Sequence, residues 1–169
     1  MNSKIMKGSP VTRLYGITRK LGSLRPISWL GERLLHHIDR FVYEYSGGQH
    51  TAVNLLFGVP ALTLTTIGAK SGLPRSVPLI GIPDGDDLIL IASNWGQDRN
   101  PGWYHNLSVN PIVKVSIDGS EANYLAHEAT GEEREIYWKK AVAIFGGYRA
   151  YKKRVGERQI PVVILSPLD

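Results

Sequence analysis

The sequence predicts a mainly β domain with helices, in which six antiparallel strands curl into a small, partly closed barrel behind an N-terminal amphipathic helix. Three observations carry that expectation. From Ala61 to Thr130 most of the chain is β-branched or aliphatic runs of strand length. The runs are joined by turns too short for a parallel crossover, such as Gly68-Ala69-Lys70-Ser71-Gly72 and Asp118-Gly119. Helical patterns do not alternate with the strands as a doubly wound sheet requires: one short helix is inserted, and one longer helix precedes the last strand.

Taken in order, residues 1–26 lack apolar periodicity and are rich in Gly, Pro, Ser and basic residues, which describes a flexible arm. Over 27–46, Leu30, Leu34, Ile38, Phe41 and Tyr45 recur at helical spacing after Ser28, a suitable N-cap, and Gly47-Gly48 ends the pattern. This helix fits packing on the domain body or lying in a membrane interface. An irregular connection to Pro60 leads into strands at Ala61–Ile67, Arg75–Ile82 and Asp87–Ser93. Asn100 is the expected N-cap and Pro101 the first residue of a short helix that stops before Pro111. Strands Ile112–Asp118 and Glu121–Thr130 flank the Asp118-Gly119 turn. Thr130-Gly131-Glu132-Glu133 reads as a capping box opening a helix through about Phe145, with Ile136, Tyr137, Ala141, Ile144 and Phe145 on its buried side. Gly146-Gly147 breaks that helix, a short aromatic and basic segment follows, and Gln159–Ser166 is the last strand. Residues 27–169 are thus expected to form one domain.

The 169 residues, 43% of them hydrophobic, suffice for one core. The chain has no cysteine, which excludes disulfides, iron–sulfur ligation and thiol nucleophiles and is consistent with a reducing compartment. No apolar run reaches the length of a membrane span and the start has no signal-peptide pattern, so a cytoplasmic chain is expected. The formal charge of +5 is concentrated in residues 1–40, where eight Lys and Arg face only Glu32 and Asp39. Such a leader suits an anionic surface or ligand as well as plain solvation.

Three segments could carry chemistry. Gly68-Ala69-Lys70-Ser71-Gly72-Leu73-Pro74-Arg75 offers tight turns flanked by two cations, an anion site or simply a solvated hairpin tip, and its spacing is not that of a P-loop. Ala92-Ser93-Asn94-Trp95-Gly96 ends a strand next to a helix start bearing Trp103 and Tyr104, where backbone N–H groups could hold ring carbonyls or a phosphate, or the aromatics could fill the core. Phe145-Gly146-Gly147-Tyr148-Arg149-Ala150-Tyr151 places two tyrosines three apart, as a cavity wall or an ordinary helix surface. His36, His37, His50, His105 and His127 lack metal-ligand spacing, so no metal is expected. Ser71 and Ser93 are not in a nucleophile elbow.

In this order, Leu64 to Arg75 with Pro78-Leu79, then Ala92-Ser93, then Pro101-Gly102-Trp103-Tyr104-His105-Asn106-Leu107 with Asn110-Pro111, resemble the deazaflavin (coenzyme F-420)-dependent nitroreductase family. Ala129 to Arg134, Tyr148, Tyr151 and Ile160-Pro161-Val162-Val163 extend the resemblance over about residues 55–167. The resemblance implies a split β-barrel of the FMN-binding type that holds reduced coenzyme F-420 in a groove and passes its hydride to a planar quinone or nitroaromatic. Lys70 and Arg75 would then hold the phosphate and the acidic tail. Pro78, Leu79, Ala92, Ser93 and Asn94 would border the ring, supported by Trp103 and Asn106. Ser93, Tyr148 and Tyr151 would form the catalytic set: Ser93 orients the acceptor, Tyr148 donates a proton or stabilises a developing oxyanion, and Tyr151 lines the acceptor pocket.

Asn94-Trp95-Gly96 replaces the Lys-Gly-Gly that many relatives carry, removing a cationic contact and narrowing the acceptor pocket. Phe145 stands where the family pattern has a further tyrosine. The resemblance is also compatible with peripheral membrane contact through the arm and helix, and with a homodimer. An FMN-dependent oxidoreductase of the same fold and a non-catalytic deazaflavin or lipid-like ligand carrier are the alternatives. A nucleic-acid module would explain the basic arm but not the motifs, so no nucleic-acid partner is expected.

Overall fold

A computed structural model describes residues 61–168. The expected arm (1–26), the amphipathic helix (27–46) and any membrane contact through them lie outside the described residues. Among the described residues, no helix is long and apolar enough to cross a membrane.

The strands are β1 (Ala61–Ile67), β2 (Pro74–Ile80), β3 (Ile82–Asp84), β4 (Asp87–Ile91), β5 (Ile112–Ile117), β6 (Ser120–Glu128) and β7 (Val162–Pro167). They form one antiparallel sheet in the order β2-β1-β5-β6-β7-β4-β3. The helices are α1 (Gly102–Leu107), α2 (Gly131–Ile144) and α3 (Gly147–Arg154).

Seven strands replace the six expected because the run Arg75–Ile82 is cut at Gly81. That single residue joins β2, at one edge of the sheet, to β3, at the other. Two opposite edges one residue apart along the chain force the sheet to curl, and β2 consequently approaches β4. The result is a half-barrel. Gly81 is buried at the corner, where a Cβ would overlap the Leu62 side chain.

The strand sequences follow from what covers each face. β1 alternates, with Leu62, Leu64 and Thr66 pointing inward. The unbroken aliphatic runs of β4 and β7 are buried on both faces. Leu88, Leu90, Val163 and Leu165 join the barrel interior with Leu62, Leu64, Val113, Val115, Trp103 and Leu107. Ile89, Ile91, Val162 and Ile164 face a second cluster under α2 and α3 with Trp138, Ala141, Tyr148 and Tyr151. Each such side chain taken fully out of water contributes about 1.5–3 kcal/mol, which makes these two strands the backbone of the core.

Several local expectations are corrected. Pro101, not Asn100, is the N-cap of α1; the Asn100 side chain instead accepts a bond from Arg158. Thr130 caps α2 without a side-chain hydrogen bond, so the capping box does not form. On α2, Ile136 is exposed, while Arg134, Trp138, Ala141 and Val142 are buried. Arg134 is held there by a bond to the Ile160 carbonyl (3.1 Å) and by its contact with the Trp138 ring. The segment after Gly146 is itself a helix, α3, because Tyr148, Tyr151 and Val155 recur at helical spacing toward the core and three cations close its last turn.

Candidate functional site

The seam between the two apolar clusters opens into a cavity of about 180 Å³. β2 supplies Val77, Pro78, Leu79 and Ile80 as one wall, and Ile91, Ser93, Asn94 and Trp95 form the floor where β4 ends. Pro101 and Trp103 come from the start of α1, and Phe145, Tyr148 and Tyr151 from the α2–α3 junction. The site is therefore a topological product: edge strand β2 faces the end of β4 only because the sheet has curled.

The aromatic wall is packed edge to face. Phe145 and Tyr148 have ring centroids 5.2 Å apart at 82°, and Tyr148 and Tyr151 6.3 Å apart at 74°. Contacts of this geometry add about 0.5–1.5 kcal/mol each beyond area burial, so the rings are fixed rather than adaptable. Burial pushes the Tyr148 hydroxyl well above the ordinary phenol range, with a smaller contribution from Tyr151. Tyr148 is consequently a neutral hydrogen-bond donor across the physiological range.

The floor is strained. Asn94, Trp95 and Gly96 have φ of 48°, 57° and 77° in succession. The left-handed region costs about 1–2 kcal/mol for a residue with a Cβ, and only Gly96 is exempt. Two arginines hold the turn. Arg158 donates to the carbonyls of Ser93 (2.9 Å), Gln97 (3.1 Å) and Ala92 (3.3 Å) and to Asn100 Oδ1. Arg154 donates to the Trp95 carbonyl (3.1 Å). Neither arginine is visible as a site residue in the sequence, because its acceptors lie roughly sixty residues away along the chain.

The expected site residues divide into three groups. Pro78, Leu79, Ser93, Asn94, Trp103, Tyr148 and Tyr151 meet at the cavity. Asn94 turns its amide nitrogen back to Gln97 Oε1 and the Arg99 carbonyl. Lys70, Arg75 and Asn106 lie outside the cavity but share one structure. Asn106 accepts the Ala69 N–H and donates to Thr66 Oγ1, tying α1 to the cationic loop in which Arg75 reaches Ser71. Ala92 stands apart: its side chain is fully buried in the barrel interior and does not line the cavity, because strand alternation sends it inward with Leu88 and Leu90. Tyr104 also stays away from the cavity and donates to Glu128 at 2.6 Å. That bond raises its pKa to about 12. Val77, Ile80 and Ile91 line the cavity without having been singled out, since an edge strand beside a corner looks like any other strand in sequence.

A family model described as F420H(2)-dependent quinone reductase matches residues 37–167, most of the chain. The protein belongs to this family. A relative named F420H(2)-dependent quinone reductase Rv1261c, from Mycobacterium tuberculosis, is 34% identical over 110 residues, covering 63% of this chain and 73% of its own. A solved F420-H2 dependent reductase is 38% identical with a TM-score of 0.59, covering 63% of this chain and 94% of its own. A second solved structure, described as a domain-swapped dimer, is 33% identical with a TM-score of 0.62, covering 83% of this chain and 99% of its own. As a member of the family, the protein is an oxidoreductase that takes reduced coenzyme F-420 as donor and a quinone as acceptor. The residues present fit that donor. A largely apolar cavity suits the ring system, and Lys70 and Arg75 stand at the loop end of the strand that walls it.

Proposed function

We propose that this chain binds reduced coenzyme F-420 along β2, with the ring system in the cavity and the anionic tail toward Lys70 and Arg75, and presents a quinone to it under the aromatic wall. One observation carries the placement. Arg75, Val77 and Leu79 alternate along one face of β2, so a cationic end and an apolar slot lie about 7 Å apart on a single strand. That pairing suits a molecule with a flat ring at one end and negative charge at the other.

When bound, the reduced deazaflavin supplies a hydride, and the quinone takes it with one proton to leave as the hydroquinone. The protein's contribution is orientation in a site partly closed to water. Pro78, Leu79 and Trp103 confine a planar ring, and Ser93 offers a hydroxyl at the cavity floor to orient the acceptor. Tyr148 holds its proton too firmly to give it up, so its role is a hydrogen bond to the oxygen on which charge develops, and the proton that completes the hydroquinone comes from solvent. Tyr151 packs against Tyr148 and keeps that donor in place.

The direct test is anaerobic titration of the purified protein with reduced F-420, followed by a naphthoquinone and a nitroaromatic, reading the return of oxidised F-420 absorbance. Turnover with the quinone is expected. Binding without consumption would instead make the protein a carrier, and a yellow protein with a flavin spectrum would point to FMN. A homodimer is part of the proposal, supported by the domain-swapped relative, and light scattering on the purified chain tests it.

A further inference from the structure

We propose that Arg154 and Arg158 are positioning residues that lock Asn94-Trp95-Gly96 in its left-handed turn, so that Trp95 is a fixed wall setting the width of acceptor the cavity admits. The inference rests on the reading of the cavity as the acceptor site. It names what limits the acceptor, namely a planar quinone no wider than a rigid indole allows.

Asn94 tolerates the left-handed region, but a bulky Trp95 beside it there is a conformation rarely adopted unaided. Such a turn persists only where its surroundings over-determine it. Here two guanidinium groups from the far end of the chain add to the turn's own bonds, Gly96 N–H to the Ser93 carbonyl, Gln97 N–H to the Asn94 carbonyl and the Asn94 amide to Gln97 and Arg99. Arg158 spans the turn from both sides, taking the carbonyls of Ala92 and Ser93 before it and that of Gln97 after it. Arg154 takes the carbonyl of Trp95 itself, while its guanidinium stacks 5.6 Å from the Tyr151 ring. Arg158 is partly withdrawn from solvent, which makes these bonds harder to replace by water. The planar fork of arginine satisfies several carbonyls at once, which a lysine ammonium cannot do in the same geometry.

Gly96 completes the device. A Cβ there would sit 3.1 Å from Tyr151 Cδ1 and 3.3 Å from Arg154 Cδ, so the absence of a side chain lets α3 close on the turn. Trp95, partly buried, packs against the apolar cluster beneath α2 and α3 and lines the cavity. The arginine bonds fix the backbone from which the indole projects, and so the wall acts on acceptor size rather than on the chemistry.

The test compares kcat/KM for a naphthoquinone and an anthraquinone sulfonate at saturating reduced F-420, using the full chain. Because both values share one cofactor complex, their ratio is insensitive to cofactor affinity. Trp95→Gly, which suits the turn's φ, is expected to raise the anthraquinone-to-naphthoquinone ratio by about tenfold. Arg154→Met and Arg158→Met, which keep an apolar stem, are expected to move it the same way. Trp95→Gly combined with Arg154→Met is expected to move it no further than Trp95→Gly alone. A ratio within about twofold of wild type in Trp95→Gly overturns the role of Trp95. Additive effects in the double variant overturn the role of the arginine. If Arg158→Met does not fold, the Arg154 and Trp95 variants decide the matter. Wild-type protein that oxidises F-420 with neither quinone would overturn the acceptor-site reading itself, whereas turnover with an unmoved ratio overturns this inference alone.

Discussion

The side-chain oxygen of Asn106 accepts the backbone N–H of Ala69 at 3.0 Å, so a residue on α1 fixes the loop that carries Lys70. The same side chain donates to Thr66 Oγ1 at 2.9 Å, on the inward face of β1. Trp103, three residues earlier, lines the cavity. The cationic loop and the apolar slot are therefore two ends of one rigid assembly.

Replacing Asn106 with Leu removes both bonds and leaves the rest of α1 in place. Each such bond contributes about 0.5–1.5 kcal/mol, so F-420 affinity is expected to fall about tenfold, with kcat at saturation changed much less. Fluorescence titration with F-420 beside steady-state kinetics separates the two effects. An equal fall in kcat and unchanged affinity would contradict the assignment.

Lys70 and Arg75 are exposed, so their attraction for an anionic tail is screened by salt. Lys70→Gln and Arg75→Gln are each expected to weaken F-420 binding by about twofold to fivefold at low ionic strength. The difference from wild type should shrink as salt rises toward 1 M. Binding that is indifferent to salt would place the tail elsewhere.

Tyr148→Phe removes the hydroxyl but keeps the ring contacts with Phe145 and Trp138. Turnover is expected to fall by about 10- to 100-fold with cofactor affinity within about twofold. The pH dependence has a definite sign. Burial raises the Tyr148 pKa above its ordinary 10.0, so on raising the pH the unfolded chain loses this proton first. The stability that depends on the neutral phenol is whole below pH 10 and declines above it. Denaturant unfolding between about pH 9 and 11 should show a shallower alkaline decline in Tyr148→Phe than in wild type.

Gly81→Ala tests the corner that makes the half-barrel. The added methyl would overlap Leu62, a fully buried interior residue, and overpacking of this kind costs about 1–3 kcal/mol. A lower midpoint in thermal or denaturant unfolding is expected, and the further loss caused by Gly81→Ala should be smaller in a Leu62→Ala background than in wild type.

Much of the fold is legible in local sequence because it rests on local physics. The alternation in β1 and the Asp118-Gly119 turn specify a strand and a hairpin wherever they stand. The doubly buried runs of β4 and β7 also read as strands, though nothing local says what covers their two faces. The errors lie where a neighbour outvotes the local signal. Asn100 gives up its cap because Arg158 binds it, and Ile136 is exposed because Trp138 and Arg134 occupy the buried side of α2. The candidate site was legible in part for the same reason. Tyr148 and Tyr151 sit three apart on one helix and must share a face, whereas Arg154 and Arg158 act on residues far away in sequence.

The chain's own sequence determined a cysteine-free, mainly β domain with a cationic turn and paired tyrosines, because composition, strand pattern and helical spacing are properties of short segments. Only the tertiary structure decided that these features meet. Gly81 joins opposite edges of the sheet, and the curl this imposes brings Val77 to Ile80 against Ser93 to Trp95 beneath Tyr148. A cavity wall assembled from four distant segments depends on packing between them, and that is fixed only when the sheet closes on itself.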